Sequence, residues 1–268
     1  MAGNAASPWA LVLGASSGFG EATARELARR GLHVCGVHLD RRAGLAHVEE
    51  ITAAIRAAGR EALFFNTNAA DHDKRRRVLD ALAARLAEEE GGGTVRVLLH
   101  SLAFGSLTPL IGGDPGKWAT PAQLEMTLNV MAHSLVYWVQ DALSRRLLGP
   151  GSRVLAMTSA GATRVLPGYG PVSAAKAALE AHVRQLAVEL GGTGITVNAL
   201  RAGVTDTPAF RKIPGADWMV EQVAKRNPSG RMTETTDVAR VVGMLAGDEA
   251  QWITGTVIEV NGGEDLVA

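Results

Sequence analysis

The stretch WALVLGASSGFGEA, residues 9–22, decides the fold. WALVLG (9–14) reads as a short buried strand running into glycine, and an amphipathic helix follows with Ala22, Leu27 and Ala28 on its apolar side. Gly14, Gly18 and Gly20 spell G-x-x-x-G-x-G between the two. Glycine there permits a tight turn and a close backbone approach to a pyrophosphate, whose charge then rests on the helix N-terminus. A structural turn can have the same composition, so the loop draws its weight from following the first strand of an alternating chain.

The alternation runs on to the C-terminus. Apolar runs at 32–38, 61–66, 95–100, 152–159, 194–200 and 253–260 read as strands, and helical patterns fill 44–58, 71–90, 120–147, 169–191 and 234–247. Near-continuous apolar strands separated by helices imply a parallel sheet covered on both faces. The expectation is an α/β fold: one Rossmann-like, doubly wound parallel sheet of about seven strands, a single domain over residues 1–268, with its crevice at the strand C-termini. No Pro/Ser-rich linker, low-complexity tract or internal repeat divides the chain.

Twenty-seven basic and twenty-seven acidic residues cancel, leaving no net field to draw the chain to nucleic acid or an anionic membrane. KRRR (74–77) is a local exception. In a helix starting near Asp71 these cations oppose the macrodipole, as do Glu88, Glu89 and Glu90 at the other end. Val78, Leu79, Leu82 and Leu86 still supply a buried stripe, so the run reads as a solvated helix face. The single cysteine, Cys35, lies in the apolar run HVCGV and reads as a buried structural thiol in a reducing compartment, with no neighbours for a metal site. The N-terminal MAGNAASPWALVLG lacks the basic start and apolar core of a signal peptide, and no apolar run approaches the ~18 residues of a membrane span. A soluble, cytoplasmic protein is expected.

The end of the second strand reports on the ribose. A carboxylate there accepts from the 2′-hydroxyl of NAD, whereas arginines accommodate the 2′-phosphate of NADP. The chain offers both, as His38, Leu39, Asp40, Arg41 and Arg42. Asp40 stands slightly late for the ribose role, while Arg41 and Arg42 are well placed for a phosphate. NADP(H) is favoured, with NAD(H) and a local Asp40–arginine pair as the alternatives.

In RVLPGYGPVSAAKAALEAHVRQLAVEL (164–190), Tyr169 and Lys176 stand seven residues apart. That is two helical turns, about 700°, so both ends return to one face. Pro171 suits a helix's first turn, which leaves Tyr169 in the preceding loop and Lys176 inside the helix. Val172 occupies the position one turn before the lysine, and the other tyrosine is Tyr137, far upstream. A surface tyrosine near an unrelated lysine is the bland alternative for the pair taken alone.

LGASSGFG (13–20), Asn129, Ser159, Tyr169, Lys176, VNALRAG (197–203) and VNGG (260–263) together resemble the short-chain dehydrogenase/reductase family over essentially the whole chain. The Tyr-x6-Lys spacing and HSLAFG (100–105) resemble one branch, the bacterial enoyl-acyl-carrier-protein reductases. The stretch Tyr169 to Asp206 and GRM (230–232) look closest to its NADPH-dependent, FabL-like members. One departure stands out: Ser159-Ala160-Gly161 replaces a Ser-Tyr-Leu-Gly type sequence, so an upstream second tyrosine is missing.

The resemblance implies reduction of a trans-2-enoyl thioester, carried on acyl carrier protein or coenzyme A, in fatty-acid or related acyl-chain biosynthesis. Tyr169 would donate to the thioester oxygen as charge develops there, and Lys176 would hold the nicotinamide ribose. Ser159 would assist at the oxygen or shape the pocket, and Asn129 would organise backbone and water or simply fill a helix. His100 reads as a supporting or core histidine. The resemblance places cofactor contacts at Gly14, Ser16, Ser17, Gly18, Phe19 and Gly20, then at Asn68, Ser101 and Ala103, and finally at Gly203, Val204 and Thr205.

Residues 208–228, with Phe210, Ile213, Trp218, Met219 and Val223, read as a substrate lid or as core packing. Along 169–191, Val172, Ala175, Leu179, Val183, Leu186 and Leu190 form an apolar stripe, and Ala177, Ala178, Ala181 and Ala187 offer a small-residue surface. The resemblance implies a homo-oligomer built there, a tetramer before a dimer. Two competing readings remain: an ordinary carbonyl reductase or alcohol dehydrogenase, which shares fold and cofactor, and a nucleotide-binding protein without catalysis, against which the complete glycine loop, Tyr169 and Lys176 all speak.

Overall fold

A computed structural model describes residues 8–89 and 93–266; Glu90 and most of the N-terminal stretch read above for a leader lie outside the described residues. Seven strands, β1 (Trp9–Leu13), β2 (His33–His38), β3 (Ala62–Asn66), β4 (Val95–His100), β5 (Arg153–Thr158), β6 (Thr196–Ala202) and β7 (Val257–Val260), form one sheet in the order β3-β2-β1-β4-β5-β6-β7. Every neighbouring pair is parallel. The winding direction reverses between β1 and β4, the point at which such sheets open a crevice.

The helices divide between the two faces. Trp9, Leu11 and Leu13 of β1 point into one core with α3 (His72–Ala87), α5 (Ser134–Ser144) and α6 (Gly170–Glu189). Ala10 and Val12 point into the other, under α1 (Gly18–Arg29), α2 (Leu45–Ala57) and α8 (Thr235–Leu245). Successive residues of a strand thus feed opposite cores, which is why β1 is apolar at every position. Cys35 is fully buried and burial pushes its thiol pKa far up, so it is inert packing.

Several local expectations change. On α1 the buried side is Thr23, Ala24, Leu27 and Ala28, and Ala22 is only half-buried. The pattern 120–147 is not one helix: α4 (Pro121–Leu128) gives way to a π segment, Asn129–His133, before α5. The Ser134 hydroxyl donates to the Val130 carbonyl at 2.8 Å, supplying a side-chain donor where the regular ladder shifts. The last strand begins at Val257, because Asp248–Trp252 forms a 3₁₀ turn and Gly255 takes φ 76.

Arg75 of the KRRR run is buried, not solvated: its Nε donates to Asp141 at 2.6 Å and its guanidinium lies 5.4 Å from the Tyr137 ring centre. Nor is the dipole of α3 opposed outright, since Asp71 caps it by accepting from Lys74 N, Asp73 is in the first turn and Arg85 in the last. On α6, Ala177 and Ala181 are exposed and Ala178 half-buried, but Ala187 is buried beside Gly255 and belongs to the core.

Candidate functional site

The strand C-termini open into one cleft of about 850 Å³. The β1–α1 loop forms one wall. Gly14 and Gly18 take φ 88 and 54, conformations that side chains rarely adopt. An ideal Cβ on Gly14 would lie 2.3 Å from the Ser101 carbonyl oxygen, and one on Gly20 would lie 2.0 Å from the Gly14 carbonyl oxygen. Ser17, which precedes α1, makes no side-chain capping bond, so the first amides of α1 keep their capacity for an external anion. A tight loop that closes only because Gly14 and Gly20 lack side chains, at an uncapped helix start facing a large cleft, fits a dinucleotide pyrophosphate.

Most of the residues singled out in the sequence converge here. Gly14, Ser16, Ser17, Gly18 and Phe19 line the cleft, with Asp40, Asn68, Ser101 and Ala103 along it. Gly203, Val204 and Thr205 line the opposite side together with Ser159, Tyr169 and Lys176. Four are not on its wall. Gly20 is buried beneath the loop, where its lack of a side chain lets α1 close on Gly14. Asn129 sits half-buried at the start of the π segment. Arg41 and Arg42 are exposed beyond the rim.

At the ribose end Asp40 pairs with a histidine rather than with an arginine. Its carboxylate lies 2.9 Å from His38 Nδ1. The Asp40 backbone is clamped by Asn66, which accepts from its N–H at 3.0 Å and donates to its carbonyl at 2.9 Å.

Tyr169 is the residue preceding α6, outside the helical conformation, and Pro171 stands in the first turn. Its side chain is 8% exposed and packs with Met131, Val172 and Ala175 in a small cluster on the cleft floor. Burial raises the phenol pKa, against a smaller opposing effect of its hydrogen bond with Ser159, so the group is neutral at ordinary pH. The Ser159 hydroxyl also accepts from Gly161 N at 3.1 Å. Lys176, buried two turns into α6, donates to the Met157 carbonyl at 2.7 Å. Burial lowers its pKa to about 8, and Glu180 partly offsets that.

His100 is fully buried, as expected of a core histidine. Its Nε2 lies 2.8 Å from Ser134 Oγ, and burial, aided by the charge of Lys176, brings its pKa down to about 3. It is neutral and acts as a fixed polar strut beside the π segment.

The segment after β6 contributes Phe210, Ile213, Trp218, Met219 and Val223 to the cleft wall. It folds as a 3₁₀ turn, Phe210–Lys212, and α7 (Ala216–Arg226), a helix the sequence reading left unassigned. Leu107, Val165, Leu166 and Glu264 also line the cleft, and none was singled out. Glu264 is buried with its carboxylate accepting from Val204 N at 2.9 Å, and burial raises its pKa. Its position just after VNGG was the available signal. Leu107, Val165 and Leu166 lie in irregular loops, where periodicity says nothing.

A doubly wound sheet with a glycine cradle and a Ser–Tyr–Lys cluster across one cleft defines an oxidoreductase of the short-chain dehydrogenase/reductase class. Residues 14–264 match the family model described as Enoyl-(Acyl carrier protein) reductase, and the chain belongs to that family. It is 32% identical to an NADPH-dependent aldehyde reductase-like protein of Arabidopsis thaliana, over 95% of this chain and 93% of the relative. It is also 32% identical to the enoyl-[acyl-carrier-protein] reductase [NADH] FabI of Aquifex aeolicus, over 67% of this chain and 65% of that one. Among solved structures, a short-chain dehydrogenase from Burkholderia cenocepacia in complex with NADP superposes with a TM-score of 0.80 at 29% identity, covering 96% of this chain and 98% of that one. The relatives therefore include both carbonyl and enoyl reductases, and both nicotinamide cofactors. Among the described residues, no helix is long and apolar enough to cross a membrane, and no group of three or more His, Cys, Asp or Glu could hold a metal ion.

Proposed function

We propose that this chain reduces the trans-2 double bond of an enoyl thioester with NADPH, in fatty-acid or related acyl-chain biosynthesis. The observation that carries the reading is the placement of one buried, neutral phenol, Tyr169, two turns before Lys176, while Val172 fills the position one turn before the lysine and packs in the apolar floor. Bound NADPH supplies a hydride to the β-carbon. The residues of the chain then have to manage the charge that collects on the thioester oxygen. A protonated phenol donating to that oxygen stabilises the enolate as it forms. Burial, which holds the Tyr169 proton on, suits a donor better than a base. Lys176 as an ammonium adds favourable charge and has donors to spare for a ribose hydroxyl. Ser159, with its oxygen already accepting from Gly161 N, is left to donate its own proton toward Tyr169 or the substrate oxygen.

NADPH is preferred because Arg41 and Arg42 are exposed near the ribose end while Asp40 is engaged by His38. The NADPH-dependent relative and the NADP complex support the same choice. Phe210, Ile213, Trp218 and Met219 give the acyl chain an apolar wall on a segment that closes over it. Carbonyl reduction is the second reading, favoured by the aldehyde reductase-like relative, and would use the same phenol to protonate an alkoxide. We further propose a homo-oligomer that packs through the exposed Ala177 and Ala181 side of α6.

Tyr169→Phe tests the central assignment. It removes a donor used mainly when the oxygen is charged, so turnover of a crotonyl thioester should fall about 10²–10³-fold. The NADPH dissociation constant should stay within about twofold, since the ring remains. Unchanged turnover removes Tyr169 from the chemistry.

A further inference from the structure

We propose that Gly161 is a positioning residue that sets where the Tyr169 phenol stands, an inference that rests on Tyr169 being the donor. Gly161 is buried in the turn Ala160–Ala162 that follows β5. Its φ lies outside the left-handed region that favours glycine, so the backbone does not require glycine here. What requires it is the neighbouring ring. An ideal Cβ at Gly161 would fall 2.5 Å from Tyr169 Cε1 and 2.9 Å from Cδ1, and 3.4 Å from Ser159 Oγ. These are atoms in the middle of a ring in a buried cluster, with no flexible end that could swing aside.

The geometry follows from the spacing. A tyrosine one turn before the lysine would ride on the helix and be aimed by it. Tyr169 precedes the helix, with φ −96 and ψ 2, so its direction is not set by a helical backbone, although its ring packs on Val172 and Ala175. The Cδ1–Cε1 side of its ring instead packs against the bare backbone of residue 161, while the N–H of that same residue holds Ser159 Oγ at 3.1 Å. One glycine thus fixes both hydroxyls: by an absent side chain for Tyr169, and by a hydrogen bond for Ser159.

The test is a cycle of four proteins: wild type, Gly161→Ala, Tyr169→Phe and the double variant. Misplacing a reacting group by about 1 Å costs on the order of 10²-fold, so Gly161→Ala should lower turnover by about that factor with the NADPH dissociation constant unchanged. In the Tyr169→Phe background the same substitution should cost less than about twofold, because no donor remains to be misplaced. Wild-type turnover in Gly161→Ala, or an equal loss in both backgrounds, overturns the proposal. A second arm needs no substrate and so stands even where enoyl reduction itself fails. The drop in melting temperature caused by Gly161→Ala should shrink when Tyr169 is replaced by Ala. If Gly161→Ala does not fold, the Gly161→Ala/Tyr169→Ala protein should; a double variant that is equally unfolded, or equally destabilised by the added methyl, contradicts a conflict with the Tyr169 ring.

Discussion

The two ends of the sheet each bury a cation, and they use it in opposite ways. At the N-terminal ends of the strands, Arg153 is 2% exposed and is tied to the end of α8 and the residues just past it: Nε donates to the Leu245 carbonyl and Nη2 to the Gly247 carbonyl, both at 3.2 Å. Arg96 beside it donates to the Ala246 carbonyl at 2.7 Å and pairs with Asp248. Carbonyls at a helix end and just past it lack partners within the helix, so two guanidinium groups bonding Leu245, Ala246 and Gly247 form a structural cap. At the C-terminal ends, Lys176 is 5% exposed, and among the described residues its ammonium gives one hydrogen bond of the three it can make. The lesson is that burial alone does not mark a functional cation. Arg153 Nη1 is also without a partner, but it is enclosed in the protein; what distinguishes Lys176 is that its unspent donor capacity faces a cleft.

Breaking each end should therefore give different phenotypes. Lys176→Ala has the larger effect: kcat/KM should fall on the order of 10²-fold or more, and the NADPH dissociation constant should rise, measured by fluorescence titration. The wild type makes the same point through pH. Because burial lowers the Lys176 pKa to about 8, the ammonium is lost as pH rises through that value, and kcat/KM should decline above it. Normal cofactor affinity in Lys176→Ala would contradict the ribose assignment.

Arg153→Met should do the reverse. It leaves the Leu245 and Gly247 carbonyls without their partner, at a cost of about 2–4 kcal/mol of stability in denaturant unfolding, while kcat and KM at 25 °C stay near wild type. A catalytic defect without loss of stability would erase the contrast between the two ends. The smallest effect is expected at the rim. Replacing Arg41 and Arg42 by Ala should weaken NADPH binding about tenfold and leave NADH binding unchanged, the scale of one or two charge-assisted hydrogen bonds. A wild type that prefers NADH would put the Asp40 carboxylate on the ribose hydroxyl.

The contrast also explains what could be read from the residues alone. The sheet was legible because seven apolar runs alternate with amphipathic helices, and the glycine cradle because Gly14, Gly18 and Gly20 follow the first of them. The placement of Tyr169 before α6 was legible from Pro171. Three things were not. The π segment at Asn129–His133 depends on a hydroxyl–carbonyl bond that leaves the apolar period almost intact. Arg75 is buried because Asp141 and Tyr137 arrive from α5, a tertiary event invisible in KRRR. Gly161 sits in an unremarkable Ala-Gly-Ala turn, and its role emerges only once the Tyr169 ring is laid against it. Periodicity reports which face is buried; it does not report what crosses from another element.

The most direct test of the account is the choice between double bond and carbonyl. Purified protein is incubated with NADPH deuterated at the transferable position and, in parallel, with crotonyl and acetoacetyl thioesters, and the products are read by mass spectrometry and NMR. The account predicts a butyryl thioester carrying deuterium at the β-carbon, formed with a higher kcat/KM than any 3-hydroxybutyryl product. A labelled 3-hydroxybutyryl thioester from acetoacetyl substrate, with crotonyl thioester left intact, would contradict it.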